Sequence, residues 1–145
     1  MKRKIFLGLG MFLIIIQFIK IDKINPSYAP SGDFLNMTLP DSDVKNLLQN
    51  ACYDCHSYES EYPWHTNVSP ISLWIDNHIQ DGRKHLNFSI WKEYEKKRQD
   101  HKIDECIEML EEGEMPLASF TWTHPEARLT EEQNQLLIDW FRSLK

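Results

Sequence analysis

A short motif in the first half of the chain places two cysteines and a histidine within five residues. Cys52, Cys55 and His56 occur in the order Cys-x-x-Cys-His, which is the attachment signature of c-type haem. Two thiols three residues apart can add to the two vinyl groups on one edge of a porphyrin. The histidine that follows is then held next to the iron as an axial ligand. We therefore expect haem c bound through Cys52 and Cys55, with its iron on His56.

Two other uses of a Cys-x-x-Cys pair are less well supported. A structural zinc site needs a second pair of ligands, such as His-x(3–5)-His, but the chain has only one further cysteine, Cys106, and no such histidine pair. A thioredoxin-like dithiol requires a βαβ context, and no alternating strand pattern of useful length is present. Cys106 falls on an apolar helical stripe, which is typical of a buried core thiol.

Iron bound to His56 has a second axial position, for which Met115 is the preferred candidate. Met115 precedes a proline just past a predicted helix end, so its thioether lies on a loop and can reach across a pocket. A histidine–methionine pair raises the potential of haem iron, which suits electron transfer. His78, which shares an apolar stripe with Trp74, and His124 are alternative ligands. An open sixth site is the remaining possibility.

Charged side chains suggest how the cofactor and a partner would be held. Arg83 and Arg128 are candidates to pair with haem propionates through their guanidinium forks. Acidic residues crowd the stretch from Asp104 to Glu114, just before Met115. They form either an ordinary solvated helix face or a docking surface for a basic redox partner.

The N-terminal segment, residues 1–24, is predicted to anchor the protein in the cytoplasmic membrane. Basic residues at positions 2–4 precede an apolar stretch over residues 5–19 that only Gln17 interrupts. Positive residues stay inside, so the rest of the chain is expected on the periplasmic, extracytoplasmic side, where haem attachment takes place. A secretory signal that is removed is the alternative, although no small-x-small cleavage site follows directly.

The charge of the remaining chain excludes one class of partner. Residues 26–145 carry 21 acidic and 11 basic side chains, a net charge of −10. Such a domain is repelled by nucleic acid and by anionic lipid head groups. The expected partners are therefore redox proteins, including respiratory components of the membrane, and no nucleic acid.

Proline content divides the rest of the chain into two parts. Residues 25–40 hold several prolines with Ser, Gly and Asn, and are predicted to form an extended tether that lets the domain swing between membrane partners. Residues 41–145 are predicted to form a single all-α haem-binding domain of four to five helices. Asp41 or Ser42 starts a helix that runs into the haem motif. The other predicted boundaries are Ser69-Pro70 as a start, Gly82 as an end, Ser89 as the cap of a helix with Trp91 and Tyr94, Gly113 as an end and Thr130 as the start of a capping box.

Several segments in order along the chain resemble the bacterial haem-binding domain family of small, membrane-anchored, c-type cytochrome-like proteins. The segments are Gln17-Phe18-Ile19, Cys52-Tyr53-Asp54-Cys55-His56-Ser57, Tyr62-Pro63-Trp64, Val68-Ser69-Pro70, His78-Ile79 through Gly82-Arg83, Leu86-Asn87-Phe88-Ser89 with Trp91, and Met115-Pro116 followed by His124-Pro125-Glu126-Ala127-Arg128-Leu129. The resemblance implies a compact cytochrome c-like domain behind a membrane-anchor helix, with covalent haem c on Cys52 and Cys55 and His56 as axial ligand. Similarity to class I cytochromes c suggests Met115 opposite. The chain departs from the family after Met-Pro, where residues 117–120 replace a second proline and aromatics.

Three functions follow from a one-haem domain of this kind. The preferred hypothesis is a non-enzymatic electron carrier with iron held between His56 and Met115. A haem peroxidase-like enzyme is the alternative, and it needs an open sixth site with His78 or His124 as the acid–base group. A haem-based ligand sensor with an open sixth site is the third possibility.

Overall fold

All regular structure in residues 2–145, the part of the chain that the computed structural model describes, is helical. The helices are α1 (Lys2–Ile16), α2 (Phe34–Thr38), α3 (Ser42–Leu48), α4 (Asp54–His56), α5 (Ile71–His85), α6 (Lys96–Glu111), α7 (Ala118–Thr121) and α8 (Glu131–Ser143). A π-helical turn (Gln49–Tyr53) joins α3 to α4, and short 3-10 turns cover Pro30–Gly32, Trp64–Asn67, Phe88–Glu93 and Pro125–Ala127. The predicted all-α class is confirmed.

The first helix of the domain leads directly into the haem motif. It begins at Asp41, whose carboxylate accepts hydrogen bonds from the backbone N–H groups of Asp43 and Val44. This is a standard N-cap arrangement. The helix then continues without a break through α3, the π-helical turn and α4 to His56. The predicted path of this helix is confirmed.

An aromatic cluster around Phe34 forms the centre of the core. The ring of Phe34 is fully buried and lies 4.8 Å from that of Phe88 and 4.6 Å from that of Trp91, between centroids. Phe141 of α8 packs on the same ring at 6.1 Å. Because α8 also packs against α3 and α6, this cluster holds the haem-motif helix to the C-terminal half of the domain.

The prediction of an extended tether over residues 25–40 is wrong for most of this segment. Asp33 caps α2 through a hydrogen bond from the Leu35 N–H, and Phe34 and Leu35 are buried. Asn25 lies along the domain as well, since its side-chain amide donates to the Ser60 carbonyl at 2.9 Å. The reason is the burial of Phe34. Placing an aromatic ring in the core stabilises the folded state, and this outweighs the tendency of the proline-rich residues around it to form an extended chain.

Two predicted helix boundaries are also corrected. Helix α5 continues past Gly82 to His85. Ser89 does not cap a helix, because the Asn87 side chain accepts its N–H and a 3-10 turn follows. The Ser89 hydroxyl instead accepts the N–H of Tyr58, just after the haem motif, at 2.9 Å.

The ends of α6 and α8 follow the sequence signals. Gly113 has a φ of 69°, in the left-handed region that favours glycine, and its N–H donates to the Leu110 carbonyl. The Glu114 N–H donates to the Met109 carbonyl, which completes a Schellman motif. Thr130 forms the predicted capping box at the start of α8. Both predictions are confirmed.

Along the whole length of helix α1, no side chain is buried against the rest of the protein. Among residues 2–145, no helix combines the length and the apolarity needed to cross a lipid bilayer. The membrane anchor over residues 1–24 stays a prediction, and its first residue, Met1, lies outside the described residues.

Candidate functional site

The two cysteines of the motif lie one helical turn apart at the end of a continuous helix. Cys52 belongs to the π-helical turn and Cys55 to α4. Residues three apart in a helix lie on the same face, so the two thiols face a common partner. Helical π-turns occur frequently at functional sites. Both cysteines are partly buried free thiols, and Cys52 packs against the hydrophobic core.

Burial keeps these sulfur atoms uncharged. Burial, together with the neighbouring Cys55, raises the pKa of Cys52 to about 12. Burial, followed by the negative charge of Asp54, raises the pKa of Cys55 to about 12. Burial also raises the pKa of Cys106, and the proximity of Cys52 adds to this effect. The third cysteine therefore lies beside the motif as a partly buried thiol that packs against the hydrophobic core, close to the prediction from its apolar stripe.

The imidazole of His56 is oriented by two backbone carbonyl groups. Its Nδ1 lies 3.1 Å from the carbonyl oxygen of Gly82 and 3.1 Å from that of Leu86. A protonated Nδ1 donates to these oxygens, which leaves the lone pair on Nε2 for a metal. Burial lowers the pKa of His56. The ring is therefore neutral near pH 7, which is the form that binds iron.

Gly82 allows α5 to approach the motif closely. A Cβ atom at this position would lie 2.7 Å from the carbonyl oxygen of Cys55 and 3.3 Å from the Cys55 Cβ. Both distances are shorter than ordinary van der Waals contact. Only glycine therefore permits the contact that brings its own carbonyl to His56. This packing role explains why Gly82 lies inside a helix.

Arg83 holds the loop that follows the motif. Its Nε donates to the Ser57 carbonyl at 2.7 Å, and its Nη2 donates to Ser60 Oγ at 2.9 Å and to Asn25 Oδ1 at 2.8 Å. The guanidinium also lies 5.3 Å from the centroid of the Tyr58 ring. These contacts give Arg83 a structural role, and its contact with a haem propionate stays a prediction.

Met115 lies on a separate cleft, just after the end of α6. The cleft has a volume of about 330 Å³, and Met115, Pro116, Leu110, Leu129 and Arg128 are among its lining residues. None of the three motif residues lines it. Arg128 is exposed at this cleft and donates from Nε to the Thr121 carbonyl at 3.0 Å. Arg128, the second candidate for a contact with a haem propionate, therefore lines the same cleft as Met115.

The chain after Met115 returns to the motif helix. The turn Pro125–Ala127 contacts the π-helical turn that carries Cys52, and Ala127 is fully buried. Leu129 lines the Met115 cleft and also packs against the hydrophobic core that Cys52 joins. The Met115 cleft and the motif are therefore joined by one short, well-packed segment.

The two alternative histidine ligands have other contacts. His78 Nδ1 lies 2.8 Å from the Trp74 carbonyl oxygen, and the ring lies 4.3 Å from that of Trp74. His124 stacks on Phe120 at 4.1 Å, with its Nδ1 3.1 Å from the Phe120 carbonyl oxygen.

The donor set fits a covalently bound haem. Two thiols lie on one helix face, and an adjacent neutral imidazole has Nδ1 occupied and Nε2 available. Sequence reasoning identified these side chains but not Gly82 and Leu86, whose carbonyl groups orient His56. A glycine one helical turn before a helix end was the available signal for this contact, and it was taken for a helix end instead.

Comparison with known families agrees with this chemistry. The model of the family described as "Haem-binding domain" matches residues 11–143, nearly the whole chain. The chain belongs to this haem-binding domain family and is a haem-binding protein. No curated protein and no solved structure matches it.

Proposed function

We propose that the protein is a c-type cytochrome-like electron carrier. Cys52 and Cys55 form thioethers to one haem c, His56 is the proximal ligand and Met115 the distal ligand. The observation that carries this proposal is the imidazole of His56, which two carbonyl groups hold directly next to the paired thiols. A fixed Nδ1 is typical of a metal-bound histidine, and a zinc site lacks support because residues 2–145 bring together no group of three or more His, Cys, Asp or Glu side chains that could hold a metal ion.

The attachment chemistry balances without an external oxidant. Each cysteine carries one S–H, and each haem vinyl group carries one C=C bond. The sulfur bonds to one vinyl carbon and the hydrogen to the other, so that a thioether and a saturated carbon replace a thiol and an alkene. The spacing of Cys52 and Cys55 matches two vinyl groups on one porphyrin edge.

When bound, haem supplies a one-electron iron couple, and the chain determines how rigidly that couple is held. The Gly82 and Leu86 carbonyl groups fix the direction of the His56 ring. Tyr53 and Phe88, stacked at 5.2 Å with an angle of 9° between their planes, form a stiff aromatic support beside the motif. A ligand held in this way changes little when the charge at the metal changes, which favours electron transfer.

Met115 is proposed as the sixth ligand because of its position on the loop. The Schellman motif reverses the chain just before it, and the segment after it returns to the motif helix. A distal thioether raises the reduction potential and occupies the site at which peroxide or a gas would bind. The protein is then a carrier, with redox partner proteins in or near the membrane.

We place the protein at the outer face of the cytoplasmic membrane, with α1 inserted in the bilayer. The support is the basic start of the chain and the apolar composition of α1, all of whose residues are unburied. Covalent haem attachment on the extracytoplasmic side agrees with this topology.

Optical spectra of the purified, full-length protein in both oxidation states test this function. We expect a low-spin spectrum in each state, unchanged by peroxide or carbon monoxide, and rapid oxidation by a small soluble cytochrome. A high-spin spectrum that responds to peroxide or carbon monoxide would contradict the carrier and favour the peroxidase-like or sensor alternatives.

A further inference from the structure

An exposed apolar face surrounds the point where α1 meets the rest of the molecule. Its members are Trp64, Val68, Ile71 and Trp74, with exposed fractions of 78%, 39%, 46% and 49%. The 3-10 turn that begins with Trp64 packs against α5, and Ile71 and Trp74 are neighbours on one face of α5. We call these four residues the tryptophan face. Exposed apolar patches of this kind mark interaction sites.

Two hydrogen bonds in opposite directions join Gln17, just after α1, to Ser69, which lies between Val68 and Ile71 of the tryptophan face. Gln17 Nε2 donates to the Ser69 carbonyl at 2.7 Å, and the Ser69 N–H donates to Gln17 Oε1 at 3.0 Å. Ser69 Oγ also donates to the Ile19 carbonyl at 3.2 Å, and Lys23 Nζ donates to Asn67 Oδ1 at 2.7 Å. Several bonds between the same two segments fix an angle as well as a distance. The tryptophan face and α1 therefore keep a fixed relation to each other.

The apolar side chains of α1 are exposed, like those of the tryptophan face. The large hydrophobic side chains of α1 are exposed on every side, and Phe18 and Ile19 follow with exposed fractions of 81% and 52%. A groove on a partner protein would cover only one face of a helix. A helix that is apolar on all sides must be surrounded by an apolar environment. A lipid bilayer is such an environment, and Trp is enriched at its interface.

The length of α1 points in the same direction. Its 15 residues extend about 22 Å, which is less than the roughly 30 Å of a hydrocarbon core. A helix shorter than the bilayer draws its flanking residues toward the lipid. The segment just after α1 is bonded to Ser69 and Asn67, which lie in the same loop as Trp64 and Val68 of the tryptophan face, and Lys20 follows α1 closely in the chain.

We propose that the tryptophan face rests on the lipid interface of the bilayer into which α1 inserts, so that the domain has one orientation toward the membrane. This deepens the proposed function and depends on the insertion of α1. Helix α5 carries both the tryptophan face and Gly82, which contacts the haem motif. The docked face therefore also fixes the height of His56 above the membrane.

Hydroxyl-radical labelling of the full-length, haem-loaded protein in nanodiscs of phosphatidylethanolamine and phosphatidylglycerol tests this orientation. Trp122 is a matched internal control, because its exposed fraction of 77% equals that of Trp64 within one percent. Labelling is read for each tryptophan by mass spectrometry. We expect Trp64 to react several-fold more slowly than Trp122, and equal rates would overturn the docked orientation.

A variant separates docking from insertion. Gln17→Leu removes both hydrogen bonds to Ser69 and keeps α1 apolar, so the labelling rate of Trp64 should rise toward that of Trp122. The control Gln135→Leu, on the exposed side of α8, should leave both rates unchanged.

Extraction of membranes with alkaline carbonate shows whether α1 inserts. Release of the protein would contradict the proposed anchoring and the docked face together. Retention with rapid labelling of Trp64 would contradict the docked face alone. Protection of Trp64 in native membranes but not in nanodiscs would overturn the lipid as the occupant and indicate a membrane protein.

Discussion

The Nδ1 edge of the His56 imidazole faces the end of α5, where the carbonyl oxygens of Gly82 and Leu86 hold it. The identity of the ligand could be read from the sequence, since Cys-x-x-Cys-His has few other uses. The orientation could not, because Gly82 and Leu86 lie some thirty positions away, and only tertiary packing brings them to His56. A sequence motif identifies the candidate ligand, whereas the groups that orient it are brought into contact only by the fold.

Gly82→Ala tests the close contact between α5 and the motif. The new Cβ would lie 2.7 Å from the Cys55 carbonyl oxygen, so α5 must move and the carbonyl of residue 82 must move away from His56. We expect a loss of about 1–3 kcal/mol in the free energy of unfolding, measured by denaturant titration, together with a changed reduction potential.

Gly8→Ala is the control for this substitution, since a Cβ at that position meets nothing within 4 Å. It should leave the stability and the potential of the domain unchanged. A fully stable Gly82→Ala protein with an unaltered potential would show that the close contact has no role in orienting His56.

Met115→Ala tests the distal ligand. Loss of the thioether should abolish the weak near-infrared band of ferric iron ligated by methionine sulfur, lower the reduction potential and open the sixth position to carbon monoxide. Met37→Ala, at an exposed methionine in α2, should retain the band. If Met115→Ala also retains it, the sulfur ligand is another methionine, and Met109 is the first to substitute next. A low-spin wild-type protein without the band would contradict methionine ligation, and His124 is then the first residue to substitute.

Asp33 gives a pH dependence whose sign can be worked out. Its carboxylate is buried, Oδ2 has no hydrogen-bond partner, and burial raises its pKa above the ordinary value. Because the folded state holds this proton more tightly than the unfolded state, the contribution of Asp33 to stability falls as pH rises through the folded pKa.

Asp33→Asn should therefore stabilise the protein at neutral pH by about 1 kcal/mol, since the amide keeps an oxygen for the Leu35 N–H and the Tyr53 hydroxyl without burying a charge. The gain should disappear below about pH 4. Denaturant titrations at several pH values measure it, with the exposed Asp81→Asn as control. Destabilisation at neutral pH would show that the negative charge is required.

At the scale of elements, local signals predicted the helix ends that depend on local chemistry. Asp41, Gly113 and Thr130 act through hydrogen bonds within a few residues, and the structure confirms all three. Gly82 and Ser89 were misassigned because their roles are tertiary. Gly82 makes room for the Cys55 carbonyl, and the Ser89 hydroxyl accepts the N–H of Tyr58.

Thr130→Ala tests the capping box of α8. Thr130 Oγ accepts the Gln133 N–H at 3.2 Å, and the Gln133 side chain accepts the Thr130 N–H at 2.9 Å. Loss of the first bond should cost about 1 kcal/mol of unfolding free energy, as for other N-caps. Thr123→Ala removes an exposed hydroxyl that caps no helix N-terminus and bonds only to the carbonyl of Phe120 and to His124, and it should change the denaturation midpoint little. An unchanged midpoint for Thr130→Ala would show that the start of α8 does not limit stability.

At the scale of the whole molecule, the boundary between anchor and domain was the hardest feature to predict. Proline, serine and glycine in residues 25–40 are typical of a flexible linker. A single aromatic residue, Phe34, decides otherwise, because its ring contacts Phe88, Trp91 and Phe141 in the centre of the core. No local pattern reveals that a ring four residues after a proline has four aromatic partners, Trp140 among them, in the distant C-terminal half.

Hydrogen bonds between residues 17–25 and the domain also argue against a flexible linker. Gln17, Lys23 and Asn25 each bond to the loop between the motif and α5. A flexible tether would let the haem domain sample many distances from the membrane. These three bonds hold residues 17–25 against the domain, so the proposed membrane anchor would give the domain one orientation.

The mass of the denatured polypeptide tests the central claim most directly. The full-length protein is produced with the haem maturation machinery of the extracytoplasmic side, denatured, extracted with acidified organic solvent and weighed by mass spectrometry. We predict the mass of the chain plus one haem, retained by Cys106→Ala and lost when Cys52 and Cys55 are both replaced by alanine. Pigment that passes into the solvent and leaves an unmodified chain would contradict covalent attachment at this motif.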